Sequence, residues 1–150
     1  MRAVVQRVTE ARVRVDDRVA GKIGRGLVVL VGIARDDDAV DVRYLAAKLP
    51  VLRLFDGPDG RAMDQSVKDV AGSLLVVSQF TLYGDNKKGR RPSFEAAASP
   101  TDARAIYLDL VRELRRASLP VATGEFQVTM RVELINNGPV TILIDSTRQF

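Results

Sequence analysis

Neither cysteine nor histidine occurs anywhere in this chain. Without cysteine there can be no disulfide, no thiolate nucleophile and no Cys-ligated zinc, and the absence fits a reducing, cytosolic setting. The lack of histidine cuts deeper, because it removes the commonest general base, the Ser-His-Asp triad and every imidazole metal site. What survives is carboxylate or lysine acid–base chemistry, a hydroxyl nucleophile with unusual help, backbone N–H stabilisation of developing charge, or a functional group supplied by the substrate. Long hydrophobic runs are missing too: none approaches the roughly 20 residues of a membrane-spanning helix. Met1-Arg2-Ala3-Val4-Val5-Gln6-Arg7 has neither the apolar stretch nor the small-residue site of a secretory signal. The expectation is a cytoplasmic protein without a membrane partner.

With 150 residues, 46% of them hydrophobic, the chain suits one domain over residues 1–150 with a substantial core. It shows no composition shift, low-complexity stretch or internal repeat. The net charge of +4 and pI of about 9.8 are compatible with a phosphate-bearing partner but do not require one. Five of the 23 basic residues are Lys and the rest Arg, which genomic base composition explains as readily as a demand for bidentate contacts.

Hydrophobic alternation predicts strands over residues 3–8 and 11–15, with Val4, Val13 and Val15 facing inward and Arg12 and Arg14 outward. Asp16-Asp17 marks a turn before a short strand over 19–23. Leu27-Val28-Val29-Leu30-Val31 is continuously apolar, the pattern of a strand buried on both faces at the centre of a sheet. Asp36-Asp37-Asp38 supplies an N-cap and acidic first turn for a helix reaching about Lys48, with Val42, Leu45, Ala46 and Leu49 on its apolar face and Pro50 ending it. That capping role accounts for the three aspartates without a metal, and no cofactor is expected.

Residues 51–55 read as a strand paired weakly with 61–63 across a Gly-Pro-Asp-Gly turn, and 72–80 as a second buried strand. Ser99-Pro100-Thr101-Asp102 starts another helix to about Arg116, with Ala105, Leu108, Val111 and Leu114 spaced for burial. Residues 128–135 and 140–144 read as the last two strands. Six to eight strands, largely antiparallel or mixed and barrel-like, with two principal helices, give an α+β domain.

Two polar segments stand apart from this scaffold. Ser78-Gln79-Phe80-Thr81-Leu82 sets hydroxyl, amide and aromatic groups where a buried strand surfaces, a place where scaffolds often carry chemistry. Asn136-Asn137-Gly138-Pro139-Val140-Thr141 reads locally as a hairpin turn, stiffened by Pro139. A third segment, Lys87-Lys88-Gly89-Arg90-Arg91, lies in a Gly-flanked polar loop that is either a solvated surface or a phosphate-contacting lid.

Together these segments resemble the markers of the D-aminoacyl-tRNA deacylases, Ser-Gln-Phe-Thr-Leu and Asn-x-Gly-Pro-Val-Thr, both intact here. The resemblance extends through Ala3-Val4-Val5-Gln6-Arg7-Val8, Val31-Gly32-Ile33, Leu52-Arg53-Leu54-Phe55 and Gly89-Arg90-Arg91-Pro92-Ser93-Phe94. It departs at Gln127-Val128-Thr129, where the family tends to have small residues and then Asp before Met, and at Asp64, where Asn is frequent.

The resemblance implies hydrolysis of the ester joining a D-amino acid, or glycine, to the 3′-terminal adenosine of tRNA. It further implies a homodimer in which a cis Gly138-Pro139 from one subunit enters the other's pocket, braced by Arg7 and accompanied by Asn136. The ribose 2′-hydroxyl then assists the reaction, the Phe80 and Thr81 backbone supports the oxyanion, and Ser78 and Gln79 orient substrate. Thr81 is nucleophile or orienter, and orienter is favoured because no general base accompanies it. Lys87, Lys88, Arg90 and Arg91 are the expected tRNA phosphate contacts. Two alternatives remain: a sibling enzyme that removes a mischarged L-amino acid, and a noncatalytic tRNA-binding module.

Overall fold

One strand organises the molecule. In a computed structural model describing residues 1–87 and 89–149, β1 (Arg2–Val15) runs unbroken where two strands were expected. Its far half pairs antiparallel with β2 (Arg18–Ile23) and its near half with β3 (Gly26–Gly32). There follow α1 (Ala39–Lys48), β4 (Arg53–Phe55), β5 (Gln65–Ser66), β6 (Ser73–Ser78), α2 (Pro100–Arg116), β7 (Val121–Thr123) and β8 (Arg131–Asp145). The main path is β2-β1-β3-β6-β7, with β8 along the other edge of β1. At Gly21 a Cβ would sit 2.2 Å from the Thr123 carbonyl oxygen, so β2 closes against β7 and the sheet curls nearly into a barrel.

The β3–β6 and β6–β7 pairs are parallel, making the sheet mixed. Parallel neighbours need long crossovers, and the two connections here carry α1 and α2. That places β3 and β6 between two cores, as the apolar run 27–31 foretold. Leu27, Val29, Val31, Leu74 and Val76 pack outward with Leu45, Tyr107, Leu110 and Leu114 of the helices. Val28, Leu75 and Val77 face into the barrel with Val8, Ala11, Val13 and Ile23. On β1 the core position near the start belongs to Val5; Val4 has the opposite parity and is only half-buried.

Asp38 caps α1 as expected, accepting from the Val40 N–H at 2.6 Å while Asp41 accepts from the Asp38 N–H at 2.9 Å. Ser99 caps α2, its hydroxyl accepting from the Asp102 N–H at 3.2 Å. The buried face of α2 is Tyr107, Leu110, Val111 and Leu114, whereas Ala105 and Leu108 are exposed. β4 pairs with Gln65–Ser66 instead of 61–63, because residues 56–63 are spent on the turn. Residues 128–130 precede β8 without joining it.

Candidate active site

β6 delivers the first marker. At its end the Gln79 N–H donates to the Val31 carbonyl at 2.7 Å, and the chain then tightens into a 3₁₀ turn, Phe80–Tyr83. The fit beneath this turn is close: a Cβ on Gly32 would lie 2.9 Å from Leu82 Cβ and 3.1 Å from the Gln79 carbonyl oxygen. Glycine in β3 therefore sets how low the turn sits over the sheet.

Above it opens a cleft of about 680 Å³. Ser78, Gln79 and Phe80 form one wall, Phe94, Ala97, Ala98 and Ala103 another, and Phe126, Gln127, Val128, Thr129 and Met130 a third. Phe80 and Phe94 meet edge to face with centroids 5.0 Å apart, and Phe80 is 58% exposed. The cleft is largely apolar, with polar groups at its sheet end (Ser78, Gln79) and on its third wall (Gln127, Thr129), the usual make-up of a small-molecule pocket. Thr81 stands exposed beside it, its hydroxyl oxygen accepting from the Gln79 amide nitrogen. An amide cannot remove the hydroxyl proton, so this contact orients Thr81 without activating it.

The second marker is not a hairpin turn. β8 passes straight through Gly138-Pro139 and pairs with β1 on both sides of it. Gln6 faces Thr141 and Val8 faces Asn136, so two steps along β1 are matched by five along β8. The surplus residues project as a bulge, in which Gly138-Pro139 is cis, the isomer the resemblance implies, and exposed. Asn136 spans its base: its side-chain oxygen accepts from the Val140 N–H at 2.7 Å, and its amide donates to the Val140 carbonyl and the Thr141 hydroxyl, each at 3.2 Å.

Arg7 supports the bulge from β1. Its side chain donates from Nε to the Asn137 carbonyl at 2.8 Å and from Nη1 to the Leu54 carbonyl at 2.6 Å, with Asp56 Oδ1 at 3.4 Å. The guanidinium is buried, and this set of acceptors gives it the partners that burial demands. Arg7, Asn136, Gly138 and Pro139 thus form one group. They are not among the residues lining this chain's cleft.

The basic loop is pinned at its neck by reciprocal Asp85–Ser93 backbone bonds of 2.7 and 2.8 Å. Lys87, Arg90 and Arg91 are exposed on it, and Lys88 lies outside the described residues. Directly beyond the neck, Phe94 enters the cleft wall, so loop and cleft are continuous. Sequence reading singled out neither Phe94 nor Phe126 for the cleft. The signal for Phe94 was its place at the end of Gly89-Arg90-Arg91-Pro92-Ser93-Phe94; for Phe126 and Met130 it was that they flank Gln127-Val128-Thr129, the stretch that departs from the family pattern. The anomalous Gln127-Val128-Thr129 does line the cleft, so the departure from the family pattern falls on the pocket itself.

Comparison with known proteins identifies the family and the fold. The family model described as D-Tyr-tRNA(Tyr) deacylase matches residues 4–145. D-aminoacyl-tRNA deacylases of Anaeromyxobacter dehalogenans and Thermotoga petrophila are 56% and 53% identical to the chain over 150 residues, covering all of both proteins in each case. Among solved structures, one titled c-Myc DNA Unwinding Element Binding Protein superposes with a TM-score of 0.91 at 37% identity, covering 97% of this chain and 98% of that one. Another, titled a probable eukaryotic D-amino acid tRNA deacylase, has a TM-score of 0.80 at 20% identity, covering 95% and 97%, and shares the fold. With its family match nearly end to end, both markers intact and a cleft where the first of them surfaces, the chain belongs to the D-Tyr-tRNA(Tyr) deacylase family.

Proposed function

We propose that this protein hydrolyses the ester between a D-amino acid, or glycine, and the 3′-terminal adenosine of tRNA, acting as a cytoplasmic homodimer that proofreads chirality. The observation that carries the reading is the cleft whose sheet end is built from Ser78, Gln79 and Phe80, in a chain of this family. Its apolar walls suit the adenosine and its ester. The ribose 2′-hydroxyl assists attack by water, the backbone N–H groups of Phe80 and Thr81 hold the oxyanion, and Ser78 and Gln79 orient the substrate. In a 3₁₀ turn the first N–H groups have no acceptor inside the turn, which leaves those two available for a ligand. An aminoacyl ester is already activated, so positioning and oxyanion support, worth about 3–4 kcal/mol per donor in other hydrolases, meet the need without histidine.

Chirality is read by exclusion. The exposed Gly138-Pro139 bulge of one subunit enters the partner's cleft and leaves room for hydrogen, not for an L side chain, at the substrate α-carbon. Arg7 and Asn136 hold that corner rigid from two sides. Lys87, Lys88, Arg90 and Arg91 contact tRNA phosphates. The test is deacylation of matched D-, L- and glycyl-tRNA by the purified protein. Hydrolysis of the D- and glycyl-esters with sparing of the L-ester is expected. Preference for an L-ester supports the sibling editing activity, and tight tRNA binding without turnover a noncatalytic nucleic-acid-binding role. Thr81→Ala is expected to retain measurable deacylation; a trapped acyl-Thr81 ester, or total loss in a folded variant, would make Thr81 the nucleophile.

A further inference from the structure

The 3₁₀ turn that carries Phe80 and Thr81 is held from behind by a polar cluster at one end of the antiparallel β1–β8 pair, where the start of β1 meets the end of β8. Arg2 is its hub. Its Nε donates to Asp145 Oδ2 at 3.1 Å, its Nη1 donates to the Leu82 carbonyl at 3.1 Å, and its guanidinium carbon lies 4.6 Å from the centre of the Tyr83 ring. Leu82 and Tyr83 are the last two residues of the turn. Asp145 and Tyr83 are buried, and Asp145 is locked in turn by the Thr147 N–H at 2.7 Å and hydroxyl at 2.6 Å.

A helical turn ends with carbonyls that have no partner inside it, and a cation donating to one of them also meets the negative end of the turn's dipole. Arg2 fills that role at Leu82. At the front of the same turn, the Gln79 N–H is tied to the Val31 carbonyl at 2.7 Å. The turn is therefore fixed at both ends, from β3 and from the first residue of β1, with Gly32 setting its height.

We propose that Arg2 is a positioning residue for the reaction, setting the direction of the Phe80 and Thr81 backbone N–H groups through the Leu82 carbonyl and the Tyr83 ring. It touches no substrate. The inference rests on the assignment of residues 78–81 as the reaction centre. Lysine cannot replace it fully, since one ammonium cannot hold Asp145 and the Leu82 carbonyl in the same fork geometry while stacking on Tyr83.

The test combines kinetics with backbone hydrogen exchange on the full chain, well below the melting temperature of every variant. Arg2→Met keeps the aliphatic stem and removes the fork. It is expected to lower kcat for D-aminoacyl-tRNA about tenfold while KM stays within about twofold, the mark of a misplaced catalytic group in place of lost binding. Exchange at residues 82–84 is expected to rise severalfold, with exchange in α2 unchanged. Arg2→Lys is expected to fall between Arg2→Met and wild type in both readings. If Arg2→Met fails to fold, Arg2→Lys and Tyr83→Leu carry the same two readings. A folded variant with unchanged kcat, with its loss entirely in KM, or with unchanged exchange at 82–84 overturns the proposal. A wild-type protein without deacylase activity would sink the functional reading alone, because the exchange data would still report whether Arg2 holds the turn.

Discussion

A Cβ added to Gly138 would lie 2.7 Å from Val140 Cγ2 and 3.0 Å from Arg7 Nη2, and the backbone there has φ of +140°, a region L side chains rarely adopt. Arg7 Nη2 ends a flexible side chain, but this guanidinium is anchored on the Asn137 and Leu54 carbonyls, so it cannot retreat without releasing one of them. Gly138→Ala is therefore expected to displace the corner from both directions. Because misplacing a group by about 1 Å costs on the order of 10²-fold in rate, D-aminoacyl-tRNA deacylation should fall by about that factor. The D-over-L ratio should narrow as well, with the fold retained at a cost of about 1–3 kcal/mol. Comparing kcat/KM on both esters, with a melting curve alongside, checks each part. Wild-type rate and wild-type selectivity in the variant would remove Gly138 from the mechanism.

At the level of elements, sequence pattern was most legible where a segment answers to one neighbour or to local chemistry. The Asp38 cap, the Ser99 cap and the doubly buried β3 follow from local rules, and the structure has them. The phase of α2 did not follow, because Leu108 sits three residues from Val111 as a buried residue would, yet is exposed. The true face includes Tyr107, whose hydroxyl donates to the Val76 carbonyl at 2.9 Å, a contact with a distant strand that helical spacing cannot reveal. Gly-Pro misled in the same way. Its turn chemistry is real, but pairing with β1 on both sides makes it a bulge inside one strand. The far wall of the cleft, 126–130, showed in the sequence only as the departure at Gln127-Val128-Thr129, because nothing in its local pattern says which distant strand it will face.

The C-terminal end of β8 gives a pH prediction. Burial pushes the Asp145 carboxyl up, but the Thr147 hydroxyl and N–H, Arg2 and the Met1 ammonium together outweigh it and leave it below the usual carboxylate range. A carboxylate depressed in the folded state stabilises fully above its unfolded value of about 3.9, and that stability is lost as pH falls through the lower folded value. Asp145→Asn should therefore lower the melting temperature at pH 6 and flatten its decline towards pH 3. A decline as steep as that of wild type would show that Asp145 does not contribute to the acid limb. The basic loop gives a second element-scale test: replacing Lys87, Lys88, Arg90 and Arg91 with Ala should reduce the slope of log affinity for tRNA against log salt by about three. An unaltered slope would return the loop to a solvated surface.

For the whole molecule, the decisive fact is separation: the two marker groups belong to one chain, but the Gly138-Pro139 bulge does not line that chain's own cleft. The bulge projects from β8, an edge strand of 15 residues that, among the described residues, pairs with β1 alone. The same strand exposes Ile135 and Leu143 by 55% and 57%. Long edges and exposed large apolar residues are features that monomers suppress, and a twofold partner would cover them. If one subunit completes the other's cleft, damage to the two groups must complement across subunits. Gln79→Ala impairs the cleft and keeps the corner; Gly138→Ala impairs the corner and keeps the cleft. In a heterodimer of the two, one cleft is intact and faces an intact corner. Equal mixing with free exchange makes half the particles heterodimers with one good site in two, so about a quarter of wild-type activity should return from two nearly inactive preparations. Recovery that tracks subunit exchange would establish the shared site. Activity that stays at the sum of the separate variants, with heterodimers present by native mass measurement, would mean that each chain works with its own corner.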